Sequence, residues 1–334
     1  MPITGSGAPK PVEHGGDLGA VQRRFPLAPK PWIDLSTGIN PVAYPIAQLP
    51  AEIWQRLPSR DAEDALVVAA ARRYGVSDPA TIVVAPGTQA LIQLLPRVVP
   101  KSRVAIVGST YAEHAVCWHR GGHEVRVVAG LGAPADVVVV VNPDNPTGRL
   151  LAPDALHAQR ASLIVVDEAF IDLLPASASL AGSLPRNAVV LRSFGKTYGL
   201  AGLRLGFAIA PPWLAPLIRD EVGPWAVSGP ALEIGRLALE DDAWLHGAAD
   251  RLLTDGETLG LLLAAAGFEI LGRTPLFRLA SHPEAGRIAD QLGWQGIHVR
   301  AFADRPTWLR FGLPASDDGF RRLADALQVP QKVR

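Results

Sequence analysis

Five consecutive valines, Val137–Val141, constrain this chain more than any other stretch. A strand with one face in water alternates apolar and polar residues, whereas this one is apolar at every position. That pattern suits a strand buried on both faces of a parallel sheet. Six more β-branched or apolar runs surround it, and the expected strands are Thr81–Ala85, Arg103–Val107, Glu124–Val128, Leu163–Asp167, Ala188–Ser193 and Leu205–Ala210. Helix-length segments lie between them at Gly87–Leu95, Ala112–Arg120 and Asp154–Arg160. Alternation of this kind predicts an α/β fold with a mostly parallel sheet of seven strands. Beyond about Pro211 the texture changes. A long helical stretch, Pro230–Leu263, precedes expected strands Phe268–Leu271, Leu276–Ala280, Gly296–Arg300 and Trp308–Phe311. Helices are expected at Pro283–Leu292 and Asp317–Leu327. These elements predict a smaller α+β domain joined through the long helix.

Composition narrows the function classes. Lys plus Arg and Asp plus Glu are both 32 in 334 residues, and no basic run interleaves with aromatics. Nucleic acid is therefore not favoured as a partner. Hydrophobic residues make up 48% of the chain, but no stretch has the roughly 18 uncharged apolar residues of a membrane span. The N-terminus lacks the basic-then-apolar order of a signal peptide. Cys117 is the sole cysteine, so no internal disulfide can form. The expectation is a cytoplasmic globular protein without a membrane segment. His114, Cys117, His119 and His123 lie near one another in sequence, but their spacing matches no standard zinc pattern, and no metal is expected.

Chemistry concentrates in Ser193-Phe194-Gly195-Lys196, with Arg204 eight positions further on. A lysine becomes a covalent catalyst when it is held beside an aldehyde or carbonyl. A hydroxyl and a guanidinium on either side of the amine suit a phosphorylated aldehyde, which describes pyridoxal 5'-phosphate (PLP). Alone, the motif also reads as a solvated loop lysine. Upstream segments add weight. Pro86-Gly87-Thr88-Gln89 sits where a strand gives way to a helix, so backbone N–H groups and the Thr88 hydroxyl can cradle an anion. An ordinary capped helix is the bland alternative. Tyr111 can stack on a planar ring or serve as a buried structural residue. Asn142-Pro143-Asp144-Asn145-Pro146-Thr147-Gly148 forms a stiff loop after the valine strand and offers an amide to a phenolate oxygen. Asp167 ends a strand in apolar surroundings, where its carboxylate calls for a cationic partner such as a protonated ring nitrogen.

Taken in order, these segments resemble the fold type I aminotransferase superfamily of PLP enzymes, over nearly the whole chain. The resemblance implies a large PLP domain, a small domain drawing on both chain ends, and a homodimer with active sites at its interface. The corresponding division is an N-terminal arm at 1–45, a PLP-binding domain at 46–225, and a connecting helix with the small domain at 226–334. It implies catalytic roles for Lys196, as the residue joined to PLP, for Asp167 at the ring nitrogen, and for Tyr111 on the ring. Gly87, Thr88, Gln89, Asn145, Ser193 and Arg204 complete the cofactor contacts, with Asn145 at O3'. Arg310, in Trp308-Leu309-Arg310-Phe311-Gly312, matches the arginine that grips the substrate carboxylate.

Within the superfamily, histidinol-phosphate aminotransferases and the threonine-phosphate decarboxylases of cobalamin synthesis share this layout. Glu13-His14-Gly15-Gly16-Asp17 and Leu35-Ser36-Thr37-Gly38-Ile39-Asn40-Pro41 resemble segments of the decarboxylases. So do Asp167-Glu168-Ala169-Phe170, with Phe where the aminotransferases usually have Tyr, and Pro224-Trp225-Ala226-Val227. The resemblance thus implies a phosphorylated amino acid as substrate, with His14, Gly15, Asn40, Asn145, Arg149 and Arg310 around it. The implied reaction is decarboxylation of O-phospho-L-threonine to (R)-1-amino-2-propanol O-2-phosphate. Transamination of the histidinol-phosphate type is the alternative, and a scaffold or regulator built on a PLP fold is a third. One departure stands out. A partner-subunit Tyr that usually meets the cofactor phosphate is replaced in Leu57-Pro58-Ser59. Ser59 either stands in for that Tyr, or the contact is missing.

Overall fold

The computed structural model describes residues 15–329. In chain order the strands are β1 (Ile33–Leu35), β2 (Ile82–Ala85), β3 (Arg103–Val107), β4 (Glu124–Val128), β5 (Val137–Val141) and β6 (Leu163–Asp167). Then come β7 (Ala188–Ser193), β8 (Gly206–Ile209), β9 (Glu269–Thr274), β10 (Phe277–Ser281), β11 (Ile297–Ala301) and β12 (Trp308–Gly312). Seven of them form one sheet in the order β2-β8-β7-β6-β5-β3-β4, and β1-β11-β12-β10-β9 form a second. Only β8 runs against its neighbours in the first sheet. The valine strand lies inside it between β6 and β3, at most 4% exposed along its length. Burying each of those side chains contributes on the order of 1.5–3 kcal/mol.

The two faces of the large sheet carry separate cores. Val138, Val140, Val166 and Val190 pack toward the helix Arg60–Tyr74, which has no counterpart among the sequence expectations. Val139, Val165 and Leu191 pack toward the helices Thr88–Val98 and Ala112–Arg120. Successive strand residues alternate between these cores, and that alternation fixes which side chains reach the site.

Several expected helices differ in extent: Asp154–Arg160 is the shorter Pro153–His157, and Pro283–Leu292 is Ala285–Trp294. The stretch Pro230–Leu263 is two helices, Gly229–Glu240 and Asp242–Ala265. Asp241 leaves helical geometry and accepts a hydrogen bond from Trp244 N at 2.9 Å, capping the second helix as it ends the first. The helix after Gly87 runs past Leu95 through Pro96 to Val98. Pro96 lies in its last turn, and its carbonyl bonds His123 Nε2 at 2.8 Å.

The second sheet is closed by the N-terminal β1, which runs parallel to β11 and pairs Ile33 with Ile297. The sheets meet at the loop after β5. Residue Leu271 bulges out of the β9–β10 pairing, and Gly272 lies so near Thr147 that an added Cβ would be 1.8 Å from its carbonyl oxygen. Only glycine permits that approach.

Candidate active site

Parallel strands end at one edge, so their following loops converge there. β5 delivers Asn145, β6 ends on Asp167, and β7 leads through Ser193 into the short helix Phe194–Thr197 that carries Lys196. Because β8 runs the opposite way, it begins at this edge and brings Arg204, just before it, to the same place. A cavity of about 170 Å³ results. Gly87, Thr88, Gln89, Tyr111, Asn145, Asp167, Ser193, Lys196 and Arg204 line it, together with Ala169 and Phe170. All the cofactor contacts read from the sequence share this one wall.

Lys196 lies in the cavity with its amine 5.7 Å from the Phe170 ring centre. Burial, followed by the Arg310 charge, lowers its pKa from the usual 10.5 to about 8, against the opposing pull of Asp167. A useful fraction of the amine is therefore neutral and nucleophilic near neutral pH. Asp167 is buried, with Oδ2 at 2.9 Å from His114 Nε2 and Oδ1 accepting from Ala169 N at 3.1 Å. His114 was grouped with possible metal ligands in the sequence, and its alignment with Asp167 was missed. Tyr111 donates to Gln89 Oε1 at 3.0 Å, and Gln89 in turn donates to Glu113. Burial, then the charges of Glu113 and Asp167, raises the Tyr111 pKa and keeps its hydroxyl protonated.

At Gly87, φ is +83° and an added Cβ would lie 2.8 Å from Arg204 Nη2. The bare backbone at a helix start beside a guanidinium makes a cradle for an anion. Donors for a phosphate, an amine for an aldehyde, and a carboxylate for a ring nitrogen stand around one cavity, so the residues present fit PLP.

On the open side the cavity joins a cleft lined by Gly15, Ser36, Thr37, Arg300, Arg305, Trp308 and Arg310. Arg310 donates to the Asn145 side-chain oxygen and, at 2.7 Å, to Ser36 O. That leaves the Asn145 amide nitrogen as a donor toward the cavity. Arg300 and Arg305 were missed in the sequence because nothing ties them to a motif, and Trp308, which opens the Arg310 motif, was given no role; the pairing of β11 with β12 brings them in.

Other expected residues lie elsewhere. Asn40 is buried under Lys196: its amide donates to Thr197 O at 2.9 Å and its oxygen accepts from Arg251 at 2.8 Å. With its side chain bonded this way, Asn40 supports the turn that carries Lys196. Arg149 lines an adjoining cleft with Arg273, which shares Ser109 and Trp308 with the first. Ser59 Oγ accepts from Ala62 N at 3.2 Å as the cap of the helix Arg60–Tyr74. His14 lies outside the described residues. Cys117 is buried, and its thiol is pushed up to about 11 by burial and by Glu113, away from the thiolate a metal would bind.

The aminotransferase class I and II family pattern matches residues 30–327. A threonine-phosphate decarboxylase from a Sinorhizobium species is 45% identical over 95% of this chain and 98% of its own length. The threonine-phosphate decarboxylase of Pseudomonas aeruginosa is 39% identical over 95% and 97%. Among solved structures, a histidinol-phosphate aminotransferase from Sinorhizobium meliloti, in complex with pyridoxal-5'-phosphate, superposes with a TM-score of 0.78. It is 23% identical, covering 98% of this chain and 94% of that one, and so shares the fold. With the strand-edge cavity, its lysine and its aspartate, these matches make the chain a member of the aminotransferase class I and II family of PLP-dependent enzymes.

Proposed function

We propose that this enzyme decarboxylates O-phospho-L-threonine, releasing CO2 and (R)-1-amino-2-propanol O-2-phosphate for cobalamin synthesis. One observation carries the reading beyond the names of its relatives. Arg300 and Arg310 are direct partners across β11 and β12, on the open side of Lys196. Like charges placed opposite one another in a sheet are unfavourable on their own. Burial and the neighbouring Arg300 charge lower the Arg310 pKa to about 10. Asp34 offsets part of that repulsion, and a small molecule bearing both a carboxylate and a phosphate, as phosphothreonine does, would set further negative charge against the pair.

When bound, PLP supplies an electron sink for the pair left on Cα as a bond to it breaks. In this reading Thr88, Ser193 and Arg204 hold the phosphate of PLP, Asn145 donates to O3', and Asp167, steadied by His114, keeps a proton on the ring nitrogen. Arg310 grips the substrate carboxylate and Arg300 the substrate phosphate, with Gly15 at the same end. Lys196 then delivers a proton to Cα after CO2 has left. The division into segments 1–45, 46–225 and 226–334, cytoplasmic residence and a homodimer belong to the same reading. The apolar side chains of Ile46, Trp54 and Leu57, all more than half exposed on one chain, support the dimer.

The test is an assay of purified, PLP-loaded protein with O-phospho-L-threonine, with CO2 and amine followed by mass spectrometry. Aminopropanol phosphate supports the proposal. Turnover of histidinol phosphate with 2-oxoglutarate and none of phosphothreonine would replace it with transamination.

A further inference from the structure

Asp167 and Phe170 form part of the cavity wall, yet the segment that follows β6 has no helix to hold it. Its residues 168–171 are buried all the same. We propose that Arg192 is the positioning residue for this wall, clamping the 168–172 segment at both ends from the far face of the large sheet.

Strand alternation sets up the arrangement. On β7, Arg192 follows Ala188 and Val190 and points into the core that holds Tyr74, while its neighbour Ser193 lines the cavity. In the same way Asp167 turns to His114 on one face and Glu168 to Arg192 on the other. Arg192 Nη1 donates to Glu168 Oε2 at 3.0 Å and to Ser179 Oγ at 2.9 Å, and Nη2 donates to Asp172. Its guanidinium lies 4.2 Å from the Tyr74 ring centre. Glu168 accepts further bonds from Ser179 Oγ at 2.6 Å and Leu180 N at 2.7 Å.

Two carboxylates joined to one buried guanidinium therefore bracket Phe170. That ring touches both halves of the site. It lies below the Lys196 amine and packs edge-on against Phe277, their centres 5.2 Å apart. Phe277 in turn lies 5.2 Å from the Arg310 guanidinium. Removing the cation leaves two buried carboxylates without a counter-charge, which the fold can relieve by protonating them or by letting the segment move toward water. Burial keeps the Glu168 pKa raised even with Arg192 in place, so the segment has little margin.

The clamp serves PLP binding itself and does not depend on which reaction follows. Arg192→Lys keeps the charge and loses the fork; Glu168→Gln keeps the shape and loses the charge. The PLP dissociation constant is expected to rise about tenfold or more in each. In cofactor-free protein carrying 13C-methylated lysine, the NMR titration midpoint of Lys196 (flanked by Arg310, Asp167 and Arg204) is expected to move up toward the ordinary lysine value. If both variants melt at a lower temperature while affinity and midpoint stay where they were, Arg192 is merely core structure and the proposal fails. If Arg192→Lys does not fold, the same two readouts on Glu168→Gln decide the matter.

Discussion

The cavity around Lys196 and the cleft around Arg310 meet at Phe170 and Asn145, yet they are assembled differently. Most of the cavity wall lies within a few residues of the end of a strand in the large sheet. The cleft adds residues 15–37 and 300–310, which the second sheet brings together, to residues 109–112 after β3 of the large sheet. A site at strand ends is fixed by a rigid scaffold, so cofactor chemistry can stay constant there. A site gathered from separate segments can change its substrate by altering one of them. This contrast predicts that damage to the cavity should abolish PLP chemistry, whereas damage to the cleft should alter substrate use and spare cofactor binding.

The largest effect should follow Lys196→Ala. Loss of both the attachment point and the proton donor should lower turnover by on the order of 10³-fold or more. The near-visible absorbance of lysine-bound PLP should vanish with it. If that absorbance survived, the cofactor would be held elsewhere and the cavity would lose its central residue.

Next in size are the paired arginines. Arg300→Ala and Arg310→Ala each remove a charge-assisted contact of about 1.5–3 kcal/mol, roughly 10- to 150-fold in KM for phosphothreonine. Arg300→Ala should leave the PLP dissociation constant as it was. Arg310→Ala should disturb PLP binding slightly as well, because Arg310 holds the side-chain oxygen of Asn145. A large loss of PLP affinity in Arg300→Ala would erase the distinction between cavity and cleft.

Lys196 gives a pH-dependent test in the cofactor-free protein. Its folded-state pKa of about 8 lies below the 10.5 it has in an unfolded chain. Between those values the unfolded chain binds more protons, so stability should rise with pH from about 8 to about 10.5. Below 8 the cost of a buried ammonium is fully present. Capture of PLP by the neutral amine should speed up through pH 8 and then level off. A capture rate still climbing steeply at pH 9 would mean that the amine is not buried as the structure has it.

Much of this was legible in the sequence because local rules set it. The valine run fixed a strand buried on both faces, and the boundaries of β3, β4, β5, β6 and β7 follow from their apolar runs. Lys196, Asp167 and Asn145 belong to short motifs whose spacing survives folding. Long-range register was not legible. Arg300 faces Arg310 only because β11 pairs with β12, and His114 meets Asp167 only because a helix crosses the end of β6. Asn40 is a related case. A polar residue before a proline offers no sign of whether its amide turns toward a ligand or toward the backbone beneath Lys196.

The smallest expected effect tests the edge of the cavity. In its place in the chain, Ser59 could be a phosphate ligand offered to a second subunit, and its hydroxyl oxygen caps the helix Arg60–Tyr74. Ser59→Ala removes that cap at a cost of about 1 kcal/mol. In a chain of this length the melting temperature should fall by roughly 2 °C. The PLP dissociation constant should not change, because the Gly87 cradle, Ser193 and Arg204 supply the anion contacts within one chain. A tenfold loss of PLP affinity with the helix cap as its only local partner would mean that the hydroxyl also serves a neighbouring active site. The cavity would then be a composite of two chains and would share the segmental construction of the cleft.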